Sequence, residues 1–214
     1  MTTVHADSKS VTSKTQQDRN RTGRMVQLGL MIAIIFVMAF SPLGYLRTPG
    51  LTITFLTVPV AVGAILLGPA AGAVCGLAFG ATSLILAVTG GSAFSAMLLS
   101  INPLGLAFTC LVPRVLEGWL CGLIFAVMKK RWKNAAYLAA SLACPLLNTL
   151  LFMSSLVLIF YDTDYVQGLA ASLGAANPLI FVVLFVGLQG VIEAGVCAVI
   201  GSIVSRTLAV ALRR

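Results

Sequence analysis

Six stretches of apolar residues dominate this sequence, and they limit what the chain can fold into more than any other feature. An α-helix rises about 1.5 Å per residue, so about 20 apolar residues cross the roughly 30 Å hydrocarbon core of a bilayer. Cut by that rule, the sequence predicts spans over residues 25–46, 51–67, 70–88, 104–128, 135–160 and 178–205. We therefore predict an all-α integral membrane protein whose six transmembrane helices form one membrane domain over residues 23–214.

The basic residues lie at the edges of these stretches. Of the 14 Lys and Arg residues, five lie before the first span, four lie in residues 129–133 and three follow or end the last span. Because cytoplasmic loops carry an excess of Lys and Arg, we predict that the amino terminus, the carboxyl terminus and the loop at 129–133 are cytoplasmic. The net charge of +8 then belongs to the membrane surface, and no nucleic-acid partner is predicted.

Residues 1–22 differ in composition from the rest of the chain. They are rich in Ser, Thr, Gln and charged residues, and they lack the pattern of a cleaved signal sequence. Such a segment has too little apolar surface to offset the entropy of ordering it. We predict a disordered cytoplasmic tail over residues 1–22.

Residues that could support catalysis or hold a metal are scarce. The five cysteines all fall in apolar stretches without a CxxC pair, and the one histidine, His5, lies in the polar tail. No HExxH, GxSxG or Walker motif occurs. We predict no catalytic residue, no metal site and no cofactor, so uphill transport would need an ion gradient or an ATPase partner.

Polar residues inside the predicted spans are the candidates for function, because an ionisable group at membrane depth costs several kcal/mol unless it is paired or used. Arg114 lies about ten residues into the fourth span, and Glu117 follows at i+3. Asn148 lies midway along the fifth span, and Glu193 lies near the middle of the sixth with Gln189 one turn before it.

Two interpretations of this group remain open. The simpler one is an internal ion pair between Arg114 and Glu117 or Glu193 that only neutralises charge. The functional one is a pocket among spans four to six, open to the outside, because a guanidinium suits bidentate binding of a carboxylate or phosphate. Asn102 would lie at the outer mouth of the fourth span, and Arg47 would form either part of a lid or an ordinary exposed turn.

Small residues mark the expected helix contacts. Gly68, Gly72, Gly76 and Gly80 repeat every four residues, which predicts close packing of the third span inside the bundle. Gly29 and Ala33 form a similar pair on the first span, and the sequence leaves open whether this pair packs internally or contacts a partner protein.

Several segments together resemble a known family. They are Thr-Ile-Thr at 52–54, Val-Pro-Val-Ala-Val-Gly-Ala-Ile-Leu-Leu-Gly-Pro at 58–69, Phe-Gly-Ala-Thr-Ser at 79–83, Leu-Val-Pro-Arg-Val-Leu-Glu-Gly at 111–118 and Leu-Asn-Thr at 147–149. The chain resembles the substrate-binding S components of energy-coupling factor (ECF) vitamin transporters. The Val-Pro-Arg-Val-Leu and Leu-Asn-Thr segments are more similar to the pantothenate branch.

The resemblance implies a non-enzymatic membrane subunit of a prokaryotic cell that captures a vitamin on the outer side through helices four to six and the external loops. It further implies a membrane-embedded coupling T subunit and two ABC-type ATPase subunits as partners. Members carry an Ala-xxx-Ala motif on the first helix that contacts the coupling protein, and Gly29 and Ala33 occupy the matching place here.

The resemblance does not by itself exclude other functions. Riboflavin, folate or biotin could replace pantothenate as the substrate, because folate and biotin also carry carboxylates. A self-sufficient, proton-coupled carrier that uses Glu193 or Glu117 is the alternative from a different class. A membrane enzyme or a purely structural protein has no sequence feature that supports it.

Overall fold

The computed structural model of the chain is a helical bundle with one short β-hairpin. It describes residues 4–42, 44–48 and 51–212, and within these ranges the side chains of residues 4–20, 45–48, 51–53 and 188 are not described. The elements are α1 (Val4–Ala39), β1 (Tyr45–Thr48), β2 (Leu51–Thr54), α2 (Thr57–Leu67), α3 (Pro69–Val88), α4 (Ala93–Ile101), α5 (Pro103–Lys129), α6 (Lys133–Phe160), α7 (Asp164–Ser172), α8 (Pro178–Val196), a π-helical turn (Cys197–Gly201) and α9 (Ser202–Ala211).

Five segments within the described residues are long and apolar enough to cross a membrane. They are Arg21–Ala39, Pro69–Val88, Pro103–Lys129, Lys133–Phe160 and Gln189–Ala211. The long helices α3, α5 and α6 match the third, fourth and fifth predicted spans to within about two residues. The chain is therefore a multi-pass membrane protein.

The boundaries predicted for the first two spans are wrong. The first was expected to run to residue 46, but α1 ends at Ala39, and Tyr45–Thr48 forms a strand that pairs antiparallel with Leu51–Thr54. The second was expected to be helical from residue 51. Its first residues, Leu-Thr-Ile-Thr, alternate apolar and polar with β-branched side chains, which is the pattern of a strand.

Helix α2 is shorter than a membrane span but lies deep in the bundle. Its 11 residues rise about 16 Å, roughly half of the hydrocarbon thickness. Nine of these residues are buried, and the helix packs against α1, α3, α5 and α6. Gly68, which links α2 to α3, has φ +96°, a left-handed conformation that glycine adopts without strain.

Glycines bring α3 and α5 into backbone contact. A Cβ added at Gly76 would overlap the carbonyl of Arg114, and one added at Gly72 would overlap that of Gly118. A Cβ at Gly80 would come within 2.6 Å of the Cys110 carbonyl oxygen. The predicted internal packing of the third span is confirmed for Gly72, Gly76 and Gly80, whereas a Cβ at Gly68 would meet nothing within 4 Å. We call the contacts of α3 with α5 the glycine interface.

The long helices run in alternating directions around this interface. The α3–α5 contacts pair the start of α3 with the end of α5, and the bond from Cys121 Sγ to the Ala140 carbonyl joins α5 to an antiparallel α6. The end of the bundle that contains Gly68 therefore also contains residues 129–133. At the opposite end, the hairpin, α4 and α7 connect the long helices.

Candidate functional site

A cavity of about 410 Å³ lies among α3, α5, α6 and α8, on the side of the bundle away from residues 129–133. Helices α4 and α7 and the loop before α4 also contribute side chains, and the hairpin contributes its last residue. The lining residues are Thr54, Phe79, Ser92, Phe94, Arg114, Asn148, Thr149, Phe152, Met153, Tyr165, Leu169, Phe185, Val186, Gln189 and Glu193.

Arg114 is the charged residue that α5 contributes to this cavity, and its guanidinium is held on several sides. Its carbonyl packs against Gly76 in the glycine interface, which fixes the backbone. Nη1 donates to the carbonyls of Thr109 at 3.3 Å and Cys110 at 3.1 Å. The guanidinium carbon lies 4.6 Å from the ring centre of Phe79 and 5.1 Å from that of Phe152, within cation–π range.

One nitrogen of this guanidinium lacks a partner among the residues that the structure describes. Nε is buried and has no hydrogen-bond partner among the described residues. Nη1 is already bonded to backbone carbonyls, so the edge formed by Nε and Nη2 is the one that a ligand could meet. A carboxylate can accept two parallel N–H bonds from such an edge.

Glu193 joins α8 to the hairpin at the cavity. Its Oε1 accepts a 2.6 Å bond from the backbone N–H of Thr54 and a 3.3 Å bond from Gln189 Nε2. Glu193 is 4% exposed, so this carboxyl is held inside the bundle by defined partners. These bonds place the last residue of β2 against the wall of the cavity.

Asn148 is the polar residue of α6 at the cavity. It is buried, and its Oδ1 has no hydrogen-bond partner among the described residues. Thr149 follows it in the lining, and Phe152 lies one turn farther along the same face. An unpaired amide oxygen in an apolar setting costs about 1–3 kcal/mol, which a hydroxyl or amide of a ligand would offset.

Aromatic side chains line the part of the cavity near α4 and α7. The ring centres of Phe94 and Tyr165 are 6.1 Å apart, and those of Phe94 and Phe185 are 5.5 Å apart. Phe94 belongs to α4, Tyr165 to α7 and Phe185 to α8, so three elements meet in this cluster. The cavity is thus polar along one wall and aromatic along another.

Three of the residues predicted for the pocket are placed elsewhere or lie outside the description. Glu117 is fully buried, does not line the cavity, and accepts a 3.1 Å bond from Cys144 Sγ. Asn102 is exposed and caps α5 by accepting a 2.9 Å bond from the Gly105 N–H. The side chain of Arg47 lies outside the described residues.

The internal ion pair that the sequence allowed is not formed. Arg114 bonds to backbone carbonyls of its own helix, Glu117 to Cys144, and Glu193 to Thr54 and Gln189. Among the side chains that the structure describes, no ion pair joins Arg114 to either glutamate. The i+3 offset turns Glu117 about 60° around the helix from Arg114, enough to direct it toward α2 and α6 instead.

The aromatic residues of the cavity were not predicted from the sequence. Phenylalanine is common in every membrane span, so composition alone does not mark a binding site. Helical spacing does carry a signal, because Phe152 follows Asn148 by four residues and Phe185 precedes Gln189 by four. Both phenylalanines therefore lie one helical turn from a polar residue that was predicted for the pocket.

The sequence matches one family over residues 23–205, described as the ECF transporter substrate-specific component. That match covers most of the chain. This chain belongs to the ECF substrate-specific component family. A comparison with curated protein sequences gives no match.

Membership in this family indicates the general function of the chain, which we now call the S component. The family consists of substrate-binding membrane subunits of ECF transporters and is not an enzyme family. Its members work with an ECF T subunit and ATPase subunits and take up a vitamin substrate. The match does not specify which vitamin.

A second cavity of about 490 Å³ lies beside the first in the S component. It shares Arg114, Phe152, Phe94 and Ser92 with the first cavity, and its other lining residues come from α3, α5 and the segment from Gly90 into the start of α4. Arg114 therefore lies in the wall between two spaces.

The pair Gly29 and Ala33 lies on an exposed face of α1 in the S component. Both residues are exposed, and a Cβ added at Gly29 would meet no atom within 4 Å. Val26, Leu30 and Val37 on the same side are also exposed. Within the described residues, the pair does not pack against another helix of the bundle.

Proposed function

We propose that this S component binds pantothenate from the outer side of a prokaryotic cell membrane and delivers it to an ATP-driven ECF importer. The observation that supports this most is that Arg114 Nε and Asn148 Oδ1, on two residues that line the cavity, have no hydrogen-bond partner among the described residues. This arrangement is complementary to a small anion that also carries hydrogen-bond donors.

Pantothenate has the groups that this cavity would satisfy. Its carboxylate would accept two hydrogen bonds from the Nε and Nη2 atoms of Arg114. Its hydroxyl and amide groups would bond to Asn148, Thr149 and Gln189, each of which can donate and accept. Its two methyl groups would pack against Phe94 and Phe185 of the aromatic cluster.

The size of the cavity favours a small vitamin. At about 410 Å³, it lies in the lower part of the range for small-molecule pockets, roughly 300–1,000 Å³. Folate is the largest of the four candidate vitamins and would need more room than pantothenate or biotin. A second cavity adjoins the first beyond Arg114, and a long ligand would span both spaces. A larger vitamin is therefore the second candidate.

The direction of capture follows from the basic residues. We place residues 129–133 and both termini in the cytoplasm, with six membrane crossings, because these segments hold most of the Lys and Arg residues. The cavity lies on the other side of the bundle, beneath the hairpin, α4 and α7. The substrate would therefore enter from outside.

Gly29 and Ala33 are proposed as the contact with the T subunit. The pair forms a flat patch on an exposed face of α1, which allows another helix to approach closely. The pair lies apart from the cavity both in sequence and in the fold. Partner binding and substrate binding would therefore involve different parts of the S component.

A proton-coupled carrier remains the alternative from another class, and Glu193 is the residue that it would use. Its carboxyl is bonded to the hairpin and to Gln189, so a change in its protonation would act directly on the cavity wall. Family membership supports the ATP-driven reading instead.

Calorimetric titration of the purified chain in detergent tests the proposal. Pantothenate, riboflavin, folate and biotin are titrated separately, without ATP and without an ion gradient. We expect tight one-to-one binding of pantothenate alone. Binding of a different vitamin would keep the S-component role and replace the substrate, and silence from all four would favour the gradient-driven carrier.

A further inference from the structure

A groove at the basic end of the bundle has no role in substrate capture. It has a volume of about 520 Å³ and lies where the membrane part of α1 begins, beside the junction of α2 and α3. Its lining residues are Arg21, Arg24, Met25, Leu28, Leu67, Ala70, Ala71 and Val74.

The groove combines two cationic side chains with an apolar floor. Arg24 Nη2 donates a 2.6 Å bond to the Leu67 carbonyl, which fixes this arginine at the end of α2. Arg21 is exposed at the rim. The other lining side chains are aliphatic or Met, and the alanines of α3 leave room between the helices.

No acidic residue of the described part of the chain neutralises these arginines at the groove. The acidic side chains that the structure describes are Glu117, Asp162, Asp164 and Glu193. None of them lines the groove, and Asp162 and Asp164 follow the far end of α6. The same end of the bundle carries the basic residues of 129–133, so its potential is positive.

We propose that this groove binds one anionic phospholipid. The phosphate lies between Arg21 and Arg24, and an acyl chain follows Leu28 of α1 and Val74 of α3 toward the membrane interior. A ligand with one negative head and an apolar chain matches both properties of the groove, and basic pockets between membrane helices bind anionic headgroups in this way.

The groove is separate from the patch proposed for the T subunit. Arg21, Arg24, Met25 and Leu28 have the i, i+3, i+4, i+7 spacing of one helix face. At 3.6 residues per turn, the face that holds Gly29 and Ala33 is rotated by roughly 120° around α1. The lipid and the partner protein therefore contact different sides of the helix.

Native mass spectrometry of the detergent-purified full chain, with equimolar phosphatidylglycerol and phosphatidylcholine, tests this proposal. We expect preferential retention of phosphatidylglycerol. Arg21→Gln should weaken retention about fivefold, the effect of one cation near an anionic headgroup. Val74→Trp, which fills the groove without changing the charge, should also weaken it.

Two matched variants separate this site from general attraction to the surface. Lys130→Gln removes one charge from the same end of the bundle outside the groove, and Val127→Trp adds the same bulk at an exposed position of α5. Both should retain phosphatidylglycerol as the unaltered chain does. Melting temperatures of all four variants show that they are folded.

Three results would overturn the proposal. The first is equal retention of phosphatidylcholine, and the second is an equal effect of Lys130→Gln and Arg21→Gln. The third is a Val74→Trp variant that keeps its phosphatidylglycerol but fails to assemble with the T subunit, because the groove would then be a protein contact.

Discussion

Arg114 shows how a single charge can be held within a membrane bundle without a carboxylate partner. Two backbone carbonyls of its own helix accept from Nη1, and the rings of Phe79 and Phe152 cover the guanidinium. A cation–π contact contributes about 0.5–2 kcal/mol, more when the cation is removed from water. Arg114 lines the cavity and its Nε has no hydrogen-bond partner among the described residues, so an anion bound there would lower the cost of burial further.

We predict that Arg114→Ala reduces pantothenate affinity by about 30-fold or more, because removing one member of a buried charge pair costs about 2–5 kcal/mol. Arg114→Lys should keep the charge but lose the planar edge and the ring contacts, giving an intermediate loss. Calorimetry measures both, and Arg131→Ala is the control outside the cavity. Unchanged affinity of Arg114→Ala would contradict the assigned pocket.

The polar residues that line the cavity could be predicted from the sequence. Arg114, Asn148, Gln189 and Glu193 stand out because a polar residue is rare in an apolar span, and all four line the same cavity. The grouping of Glu117 with them did not hold in the structure. Two residues at i and i+3 are neighbours on the surface of a helix. Their side chains can still pack against different neighbouring helices, and the spacing alone does not show which.

At the scale of elements, hydropathy predicted the long helices well and the short elements poorly. A run of apolar residues sets the length of α3, α5 and α6, because both ends must reach the membrane surface. The hairpin, α4, α7 and the π-helical turn have no such constraint. Hydropathy merged the hairpin strands with the first two predicted spans and the π-helical turn with the sixth, whereas α4 and α7 fall between predicted spans.

The glycine interface gives a prediction about helix packing. Gly76→Ala should destabilise the protein by at least the 1–3 kcal/mol typical of overpacking, because the added methyl meets the Arg114 carbonyl rather than a flexible side chain. Gly29→Ala is the matched control, since its methyl meets nothing within 4 Å. Thermal unfolding in detergent compares them, and equal melting temperatures would count against the interface.

The exposed pair on α1 gives a second prediction at this scale. Replacing Gly29 and Ala33 with Leu should leave pantothenate binding by the isolated subunit unchanged, because neither residue lines the cavity. The same change should block uptake by the assembled transporter, since bulky side chains keep the partner helix away. Calorimetry and vesicle uptake assays measure the two effects. Loss of binding together with uptake would show that the pair supports the fold.

At the scale of the whole molecule, the number of crossings depends on α2. This helix is short, yet the strand Leu51–Thr54 that precedes it lengthens the same segment toward the end of the bundle that holds α4 and α7. With α2 as a crossing, residue 130 is cytoplasmic and residue 162 is outside. With five crossings and the amino terminus inside, both assignments reverse.

Labelling of intact cells with a membrane-impermeant maleimide distinguishes these topologies. In a background without the native cysteines, Asp162→Cys should react in intact cells, and Lys130→Cys should react only after permeabilisation. Both residues are exposed, so access depends on the side of the membrane rather than on burial. The reverse pattern would rule out six crossings with a cytoplasmic amino terminus.

The close approach of α3 and α5 also limits how this sequence can vary. Any single-base change of a glycine codon that alters the residue adds at least a Cβ, and at Gly72, Gly76 and Gly118 that atom meets main chain. A saturation library selected for vitamin uptake should therefore lose variants at Gly72, Gly76 and Gly80 of α3 and at Gly118 and Gly122 of α5, while lipid-facing positions between them tolerate aliphatic exchange. The intolerant positions of α3 and of α5 run in opposite directions along the bundle. The library alone would therefore identify these two helices as an antiparallel pair.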